Sequence, residues 1–376
     1  MKQKLFIILC IYSQSFVAQN KLTGNNNYYI SFVPSYGFMV QHRSSIGALV
    51  KGYTPAYELN FIKPTSGNKK WHLENNYPEV GLSLGMIDFA NPKQLGYCYS
   101  LAPFVEIPLN KKEKTSRLIL RASWGLCYLT KRFDIENNHK NIAIGSHYNA
   151  FVQLRWFWHI NISERFRLSP GFTFSHASNG RTQVPNLGLN VFLFNLGLTY
   201  KVNNKPIQKI INDSVYSTWP SKHEILVWDA VGVNEHEPPG GPKYFANTFG
   251  LNYYYNLRNT HKWGAGVDVC YDTQNYYHME NGGYPAKNWT DIVQLGVKVC
   301  YAYNIGRVSL PIEMGYYAVS KPKEDGPVFH RIGVRYFCEN GLMLSFTMKS
   351  HWAVAAHFDY GVGYRFSVKK KKINAL

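Results

Sequence analysis

The sequence has no long apolar run after its first twenty residues, and this absence decides which kind of membrane span it can form. A helix needs about 18 consecutive apolar residues to cross a bilayer, and nothing after the first twenty residues supplies them. The mean hydropathy is −0.28, while aromatic residues make up 16% of the 376-residue chain. A chain this polar and this aromatic is neither a helical membrane protein nor a disordered one, so any span must consist of strands.

Acidic residues and patterned cysteines are scarce as well. The chain has 23 Asp and Glu against 41 Lys and Arg, a formal charge of +18. Such a positive charge predicts binding to anions. Nucleic acid is the usual partner of a basic protein, but an exported chain rarely meets it, so we expect anions such as the phosphates of lipopolysaccharide. Five cysteines follow the leader, and an odd number without CxxC spacing argues against a disulfide framework or a zinc site. The residues predicted to be buried thiols in strands are Cys98, Cys127, Cys270, Cys300 and Cys338.

The first residues, MKQKLFIILCIYSQSFVAQN, have the form of a signal peptide. Two lysines precede an apolar segment from Leu5 to Tyr12, and a polar exit follows it. We expect cleavage near Ala18, so that residues 1–18 are a signal peptide for export through the Sec machinery. Cys10 lacks the small preceding residue of a lipoprotein signal. An exported chain whose spans are strands is predicted to reside in the outer membrane.

Alternation of apolar and polar residues with a period of two marks the strands. After Ser116 the even positions are apolar or aromatic as far as Tyr128, while the odd positions include Arg117 and Arg121. Such runs of about ten residues are long enough to cross a bilayer at a tilt. Polar residues in the middle of an inward face favour a barrel over the alternative, a soluble sandwich. The sequence therefore predicts an all-β protein, an antiparallel transmembrane β-barrel.

The strand pattern falls into two halves. We count about eight strands between Tyr28 and Val202 and about eight more between His223 and Val368. The predicted units are a signal peptide at 1–18, a first barrel half at 19–202, a linker at 203–222, a second barrel half at 223–368 and a basic tail at 369–376. The halves end alike, in NLGLTYKV and DYGVGYRF, which resemble the terminal strand signal read by the outer-membrane insertion machinery. One wide barrel and two tandem barrel-like halves are both compatible with this pattern.

One hairpin places polar residues in an apolar row: FSHASNGRTQVPNLGLN, from Phe174 to Asn190. The preceding even-numbered residues of its first strand are apolar, so His176 and Ser178 continue the lipid-facing row. Asn190 has the same phase as the apolar residues of the returning strand. If Ser178 and Asn190 lie nearly opposite each other, all three polar side chains share one outward surface. Unpaired polar groups are costly in lipid, which suggests a functional reason for this placement.

The three residues have the chemistry of acyl transfer. Ser178 would be the nucleophile, His176 the general base that takes its proton, and Asn190 the group that holds the imidazole tautomer. The tetrahedral oxyanion needs hydrogen-bond donors near the serine. The candidate donors lie in the turn and are the Gly180 N–H and the side chains of Asn186 and Asn179. This chemistry calls for neither a cofactor nor a metal ion.

HASNG followed by PNLGLN resembles the signature of PagL-type outer-membrane lipid A 3-O-deacylases, or acyloxyacyl hydrolases. The resemblance implies a small barrel whose outward-facing His-x-Ser hydrolyses an ester-linked acyl chain of lipid A. In that family a Glu follows the serine by twelve residues, after a Pro-Asn-x-Gly turn whose Asn helps form the oxyanion hole. Pro185, Asn186 and Gly188 match, whereas Asn190 stands at the position of the Glu. The resemblance covers at most Tyr28–Val202 and makes the first half the catalytic one.

The same motif also resembles outer-membrane phospholipase A, in which His-x-Ser-Asn-Gly-Arg is followed by a triad Asn at the same offset. The matching residues are His176, Ser178, Asn179, Gly180, Arg181 and Asn190. This alternative implies a phospholipid substrate and a requirement for calcium or dimerisation. A second alternative is a non-catalytic barrel, a pore or scaffold. The oligomeric state stays open.

Other polar groups have simpler interpretations. His42 and Arg43 lie at a strand end and are interpreted as a turn or a headgroup contact. Asp134 is interpreted as part of a solvated loop, although a loop carboxylate could substitute for the missing Glu. The second half is predicted to be structural, because Ala353 follows His351 where the motif would need a serine.

Overall fold

A computed structural model describes residues 27–110, 116–203, 221–323, 325–352 and 354–368. Within these ranges sixteen antiparallel strands form two closed barrels of eight strands each. The predicted all-β barrel class and the count of about eight strands in each half are confirmed, and the chain adopts two tandem barrels instead of one wide barrel. In the described parts of the chain, no helix has both the length and the apolar character needed to cross a membrane.

The first barrel closes by pairing β8 with β1. Its strands are β1 (Tyr29–Met39), β2 (Tyr53–Pro64), β3 (Glu79–Asp88), β4 (Tyr97–Pro108), β5 (Ser116–Leu129), β6 (Tyr148–Asn161), β7 (Phe166–Ser178) and β8 (Leu189–Lys201). Its loops contain a 3₁₀ turn at Ser44–Leu49 and a short helix, α1, at Lys70–Glu74.

The second barrel closes by pairing β16 with β9. Its strands are β9 (His223–Glu235), β10 (Lys243–Arg258), β11 (His261–Asp272), β12 (Val293–Ile305), β13 (Val308–Val319), β14 (Val328–Phe337), β15 (Leu342–His351) and β16 (Val354–Val368). The connection between β11 and β12 contains α2 (Gln274–Asn281) and a 3₁₀ turn at Trp289–Ile292.

The two faces of each strand differ as the period-two alternation predicts. Leu126 on the outward face of β5 is 63% exposed, whereas Arg121 on the inward face is 2% exposed. On β1 every second residue from Tyr29 onwards is buried, and the residues between them are exposed. A wall of exposed apolar residues around a polar interior is the arrangement of a barrel whose outside contacts lipid.

Paired charges fill the interior of the first barrel. Glu58 lies 2.6 Å from Arg155 and 3.5 Å from Arg121, and Arg121 also pairs with Glu106. Eight-stranded barrels have interiors just wide enough for their own side chains. Arg121 and Arg155 therefore belong to an internal network that neutralises buried carboxylates, whereas Arg117 donates to the Asn76 carbonyl oxygen at 3.0 Å.

The second barrel contains a denser network of the same kind. Arg331 lies 2.7 Å from both Asp268 and Asp359, and Lys298 lies 2.7 Å from Asp268 and 2.8 Å from Glu313. All five side chains are fully buried. Two interiors packed with side chains argue against the pore alternative.

The two barrels touch along one side. Three of the contacts mark its length. Beside loop 130–147 the Glu235 N–H donates to the Arg181 carbonyl oxygen at 2.8 Å. Farther along, the Trp124 and Phe346 rings lie with centroids 5.9 Å apart, and at the opposite end the Tyr303 hydroxyl donates to Asn75 Oδ1 at 2.5 Å. The first of these contacts lies next to the predicted site residues.

The predicted signal peptide and basic tail, and residues 204–220 of the predicted linker, lie outside the described residues. All five cysteines that follow the leader are free thiols. Four of them are buried in strands, as predicted, whereas Cys338 is half-buried in the turn that follows β14.

Candidate active site

The hairpin between β7 and β8 carries the predicted site residues. β7 ends at Ser178 and β8 begins at Leu189, so residues 179–188 form the connecting turn. The turn lies at the barrel end that also carries the long loop 130–147, whereas residues 162–165 make a short turn at the opposite end. Longer loops mark the extracellular end of outer-membrane barrels, which places the hairpin tip at that surface.

His176 and Asn190 meet on the outer wall at this end. The two residues are direct cross-strand partners, and the His176 Nδ1–H donates to Asn190 Oδ1 at 2.6 Å. Phe172 and Phe192 stack on the same face with ring centroids 5.7 Å apart. The register pairs Asn190 directly with His176, so Ser178 lies two residues beyond the position opposite Asn190. The hydrogen bond leaves His176 Nε2 as the lone-pair nitrogen of the imidazole.

Ser178 lies two residues beyond His176 and is 4% exposed. Its Oγ makes hydrogen bonds within the turn, and among the described residues no hydrogen bond joins it to His176. It lies 3.2 Å from Asn186 Oδ1 and accepts from Asn186 Nδ2 at 3.0 Å. Residues i and i+2 of a strand share one face, so rotation of the serine side chain can turn Oγ towards the imidazole. Catalytic hydrogen bonds are often loose in a protein without its substrate.

Two of the three predicted oxyanion donors converge on Ser178 Oγ. The Gly180 N–H lies 3.2 Å from it and Asn186 Nδ2 lies 3.0 Å from it. The Asn179 side chain points away, because its Nδ2 donates to Ser146 Oγ and to the Gln183 carbonyl oxygen, both at 2.8 Å. Asn179 contributes through its backbone N–H, which donates to Asn186 Oδ1 at 3.1 Å and so orients the Asn186 amide.

Two glycines make room for this arrangement. Gly188 has φ +79°, and a Cβ there would lie 2.8 Å from His176 Cε1. Gly180 has φ +62°, and a Cβ there would lie 2.4 Å from the ring of Phe358 on β16 of the second barrel. Phe358 faces outward from its own barrel and is only 6% exposed. The second barrel therefore packs directly against the turn that holds Ser178.

His42 belongs to the site although its sequence context indicates only a turn. It lies in the loop after β1 and is exposed. Asn190 Nδ2 donates to His42 Nδ1 at 3.0 Å, on the side of the amide away from His176. The two positions are 148 residues apart in the chain, and no local pattern connects them.

Two acidic groups, Asp134 and the pair Glu79 and Glu106, are used elsewhere in the described structure and are not hydrogen-bonded to His176. Asp134 accepts from the Asn137 backbone N–H at 2.8 Å in its own loop, and this bond holds the pKa of its carboxyl below the usual range. Ligand atoms of Glu79, Glu106 and His159 lie within 4.8 Å of one another inside the first barrel, near the end opposite Ser178. That trio has a structural explanation, since one cation pairs with each carboxylate: Arg167 with Glu79 and Arg121 with Glu106.

Two closed barrels with lipid-facing walls and filled interiors define an outer-membrane β-barrel protein. Comparison with protein families matches residues 56–199 to the lipid A 3-O-deacylase (PagL) family and residues 222–370 to the acyloxyacyl hydrolase C-terminal domain. The chain therefore belongs to the PagL family of outer-membrane lipid A deacylases, which hydrolyse ester bonds. The resemblance seen in the hairpin motif is confirmed, and the family match extends to the second half, where the motif has no counterpart.

Comparison with solved structures returns outer-membrane barrels of low similarity. Neisserial surface protein A has 10% identity and a TM-score of 0.30, covering 47% of this chain and 99% of its own. A triple mutant of the Rhodopseudomonas blastica porin has 9% identity and a TM-score of 0.18, covering 90% of this chain and 99% of its own. Comparison with curated proteins found no match. The strand pairing itself defines the fold.

Proposed function

We propose that the protein is a serine esterase of the outer membrane that removes an ester-linked acyl chain from lipid A, with Ser178, His176 and Asn190 as its catalytic triad. The observation that carries the proposal is the His176–Asn190 hydrogen bond of 2.6 Å on the outer wall. His176 is two residues before Ser178, on the same face of β7. Such a bond fixes the orientation and tautomer of an imidazole base on a surface covered by lipid instead of water. A purely structural hairpin tip has no need of a polar pair on a lipid-facing wall.

In the proposed reaction Ser178 Oγ attacks the ester carbonyl carbon while its proton moves to His176 Nε2. The oxyanion that forms receives hydrogen bonds from the Gly180 N–H and Asn186 Nδ2, which lie 3.2 and 3.0 Å from Oγ. The bond between the former carbonyl carbon and the ester oxygen of the sugar then breaks, and the sugar leaves as an alcohol with the proton from His176. Water, deprotonated by the same imidazole, hydrolyses the acyl-enzyme and restores the serine.

The loops around the site suit an anionic lipid headgroup. Exposed basic residues at this end of the first barrel are Arg43, Lys51, Lys93, Lys131, Arg132 and Lys140. An ester at headgroup depth would lie level with the hairpin tip while its acyl chains contact the apolar wall below it. The charge would hold the phosphates of lipid A and bring its esters to Ser178.

Phospholipase A activity is the alternative that one observation favours. Asn190 is the triad residue type of that family, and its amide already orients His176. This alternative predicts dependence on calcium or on dimerisation, whereas the lipid A esterase proposed above requires neither.

Mass spectrometry of lipids from cells that produce the wild-type protein or Ser178→Ala tests the proposal. Ser163→Ala, in the exposed turn at the opposite end of the first barrel, is the matched control. We expect lipid A to lose one ester-linked acyl chain with the wild type and the control, but not with Ser178→Ala. Lysophospholipid with unchanged lipid A would support the phospholipase instead. Unchanged lipids of both kinds, with the barrel folded, would refute both.

A further inference from the structure

His42 completes a chain of hydrogen bonds that begins at the imidazole of His176. The His176 Nδ1–H donates to Asn190 Oδ1 at 2.6 Å, and Asn190 Nδ2 donates to His42 Nδ1 at 3.0 Å. His42 Nε2 in turn lies 3.0 Å from the Leu187 carbonyl oxygen, to which it donates. The Val40 carbonyl oxygen is farther from His42 Nδ1, at 3.3 Å. Every donor in this chain meets an acceptor only when Nδ1 of His42 accepts.

The loop that carries His42 is anchored to the site strand. The Val40 N–H donates to the backbone carbonyl oxygen of Asn190 at 2.8 Å. His42 follows two residues later, and only Arg43 separates it from the 3₁₀ turn at Ser44–Leu49. The backbone therefore places the imidazole beside the Asn190 amide, while its other face remains exposed.

An amide at position 190 creates a problem that a carboxylate would not. A carboxylate accepts through either oxygen, whereas an amide accepts through one end and donates through the other. If the amide turned over, its NH₂ group would face His176 Nδ1, which would have to become the lone-pair nitrogen. His176 Nε2 would then carry the proton and could not accept one from Ser178. An acceptor on the far side of Asn190 prevents this inversion.

We infer that His42 is a positioning residue for the hydrolase, because it fixes the orientation of the Asn190 amide and thereby the tautomer of His176. The inference rests on the proposed function of Ser178, His176 and Asn190. It explains how the neutral Asn190 can orient His176. A carboxylate at this position would orient the imidazole without a second partner, whereas the amide needs His42 to fix which end faces His176.

Kinetics of the purified full-length protein in detergent micelles, with lipid A as substrate, test the inference. His42→Leu removes the acceptor, while His42→Asn keeps an acceptor at the place of Nδ1. One net hydrogen bond sets the orientation, so we expect kcat to fall about five- to tenfold in His42→Leu with KM unchanged. His42→Asn should recover most of the loss. His139→Leu, on the exposed loop 130–147, is the matched control and should behave as wild type.

The same substitution in an Asn190→Asp background separates positioning from other roles. Asp has the shape of Asn but accepts through both oxygens, so His42→Leu should then lower kcat less than about twofold. An equal loss in both backgrounds, or a loss confined to KM, would overturn the inference and indicate a structural or headgroup-binding role. Retained activity in Ser178→Ala would refute the proposed function itself, whatever the His42 variants show.

Discussion

Substitution of Gly180 by Ala tests whether the second barrel supports the turn that holds Ser178. Gly180 has φ +62°, and its N–H lies 3.2 Å from Ser178 Oγ. A Cβ at this position would lie 2.4 and 2.5 Å from two carbons of the Phe358 ring, too close for any real contact. Either the turn or the ring must therefore move, and movement of the turn withdraws a proposed oxyanion donor.

The expected cost has two separable parts. A non-glycine residue in the left-handed region costs roughly 1–2 kcal/mol. Overpacking against a ring that cannot retreat costs typically about 1–3 kcal/mol. Phe358 is only 6% exposed between the barrels, so the ring has little room to retreat. Phe358→Ala removes the second part and leaves the first, so the double variant should recover about 5- to 160-fold of the activity lost in Gly180→Ala.

The assay is lipid A deacylation by Gly180→Ala, Phe358→Ala and the double variant, with heat-modifiable mobility in SDS gels as the check of folding. Phe249→Ala is the matched control, since that ring is 47% exposed on the outer wall of β10 and does not contact Gly180. Rescue by Phe358→Ala and not by Phe249→Ala is expected. A folded, inactive Gly180→Ala protein that Phe358→Ala fails to rescue would refute the steric reasoning.

Three further predictions concern the site, the interior of the second barrel and the opposite end of the first. Gly188→Ala should lower kcat about 10- to 100-fold by displacing the His176 ring, whereas Gly283→Ala, with the same φ of +79° but open space around it, should leave kcat unchanged. Arg331→Met should lower the free energy of unfolding by about 3–5 kcal/mol, measured by urea titration, because it removes the only arginine or lysine that pairs with the buried Asp359 among the described residues. Burial lowers the pKa of His72 from 6.5 to about 4, so the unfolded chain takes up the proton first. The free energy of unfolding should therefore fall between about pH 6.5 and pH 4, and His72→Gln should abolish this contribution to the decline.

Much of the fold could be predicted from the sequence because strand structure has a short period. Successive side chains point to opposite faces, so the lipid-facing and inward rows follow from residue order alone. The same phase argument assigned His176 and Asn190 to one surface, and the structure joins them by a hydrogen bond. Turn chemistry drew attention to Gly180 and Asn186, both of which lie next to Ser178 Oγ.

The details that could not be predicted depend on register and on long-range contacts. The ten-residue turn 179–188 is too irregular for its length to set the register, so only the structure identifies His176 as the cross-strand partner of Asn190. The Asn179 side chain looked available, but Ser146 of another loop binds it. The sequence around His42 indicates only a turn or a headgroup contact, since the closure of β8 onto β1 is what brings His42 to the site.

The sequence by itself determined the class of the protein, the two sets of about eight strands, the outward surface of the hairpin and the family to which the motif belongs. These follow from alternation and from residues close together in the chain, which local stereochemistry controls. Only the tertiary structure decided that each half closes into its own barrel, that His42 accepts a hydrogen bond from Asn190 and that Phe358 of the second barrel packs against Gly180. Strand pairing and packing between distant segments decide these features, and a single sequence does not record which segments will meet.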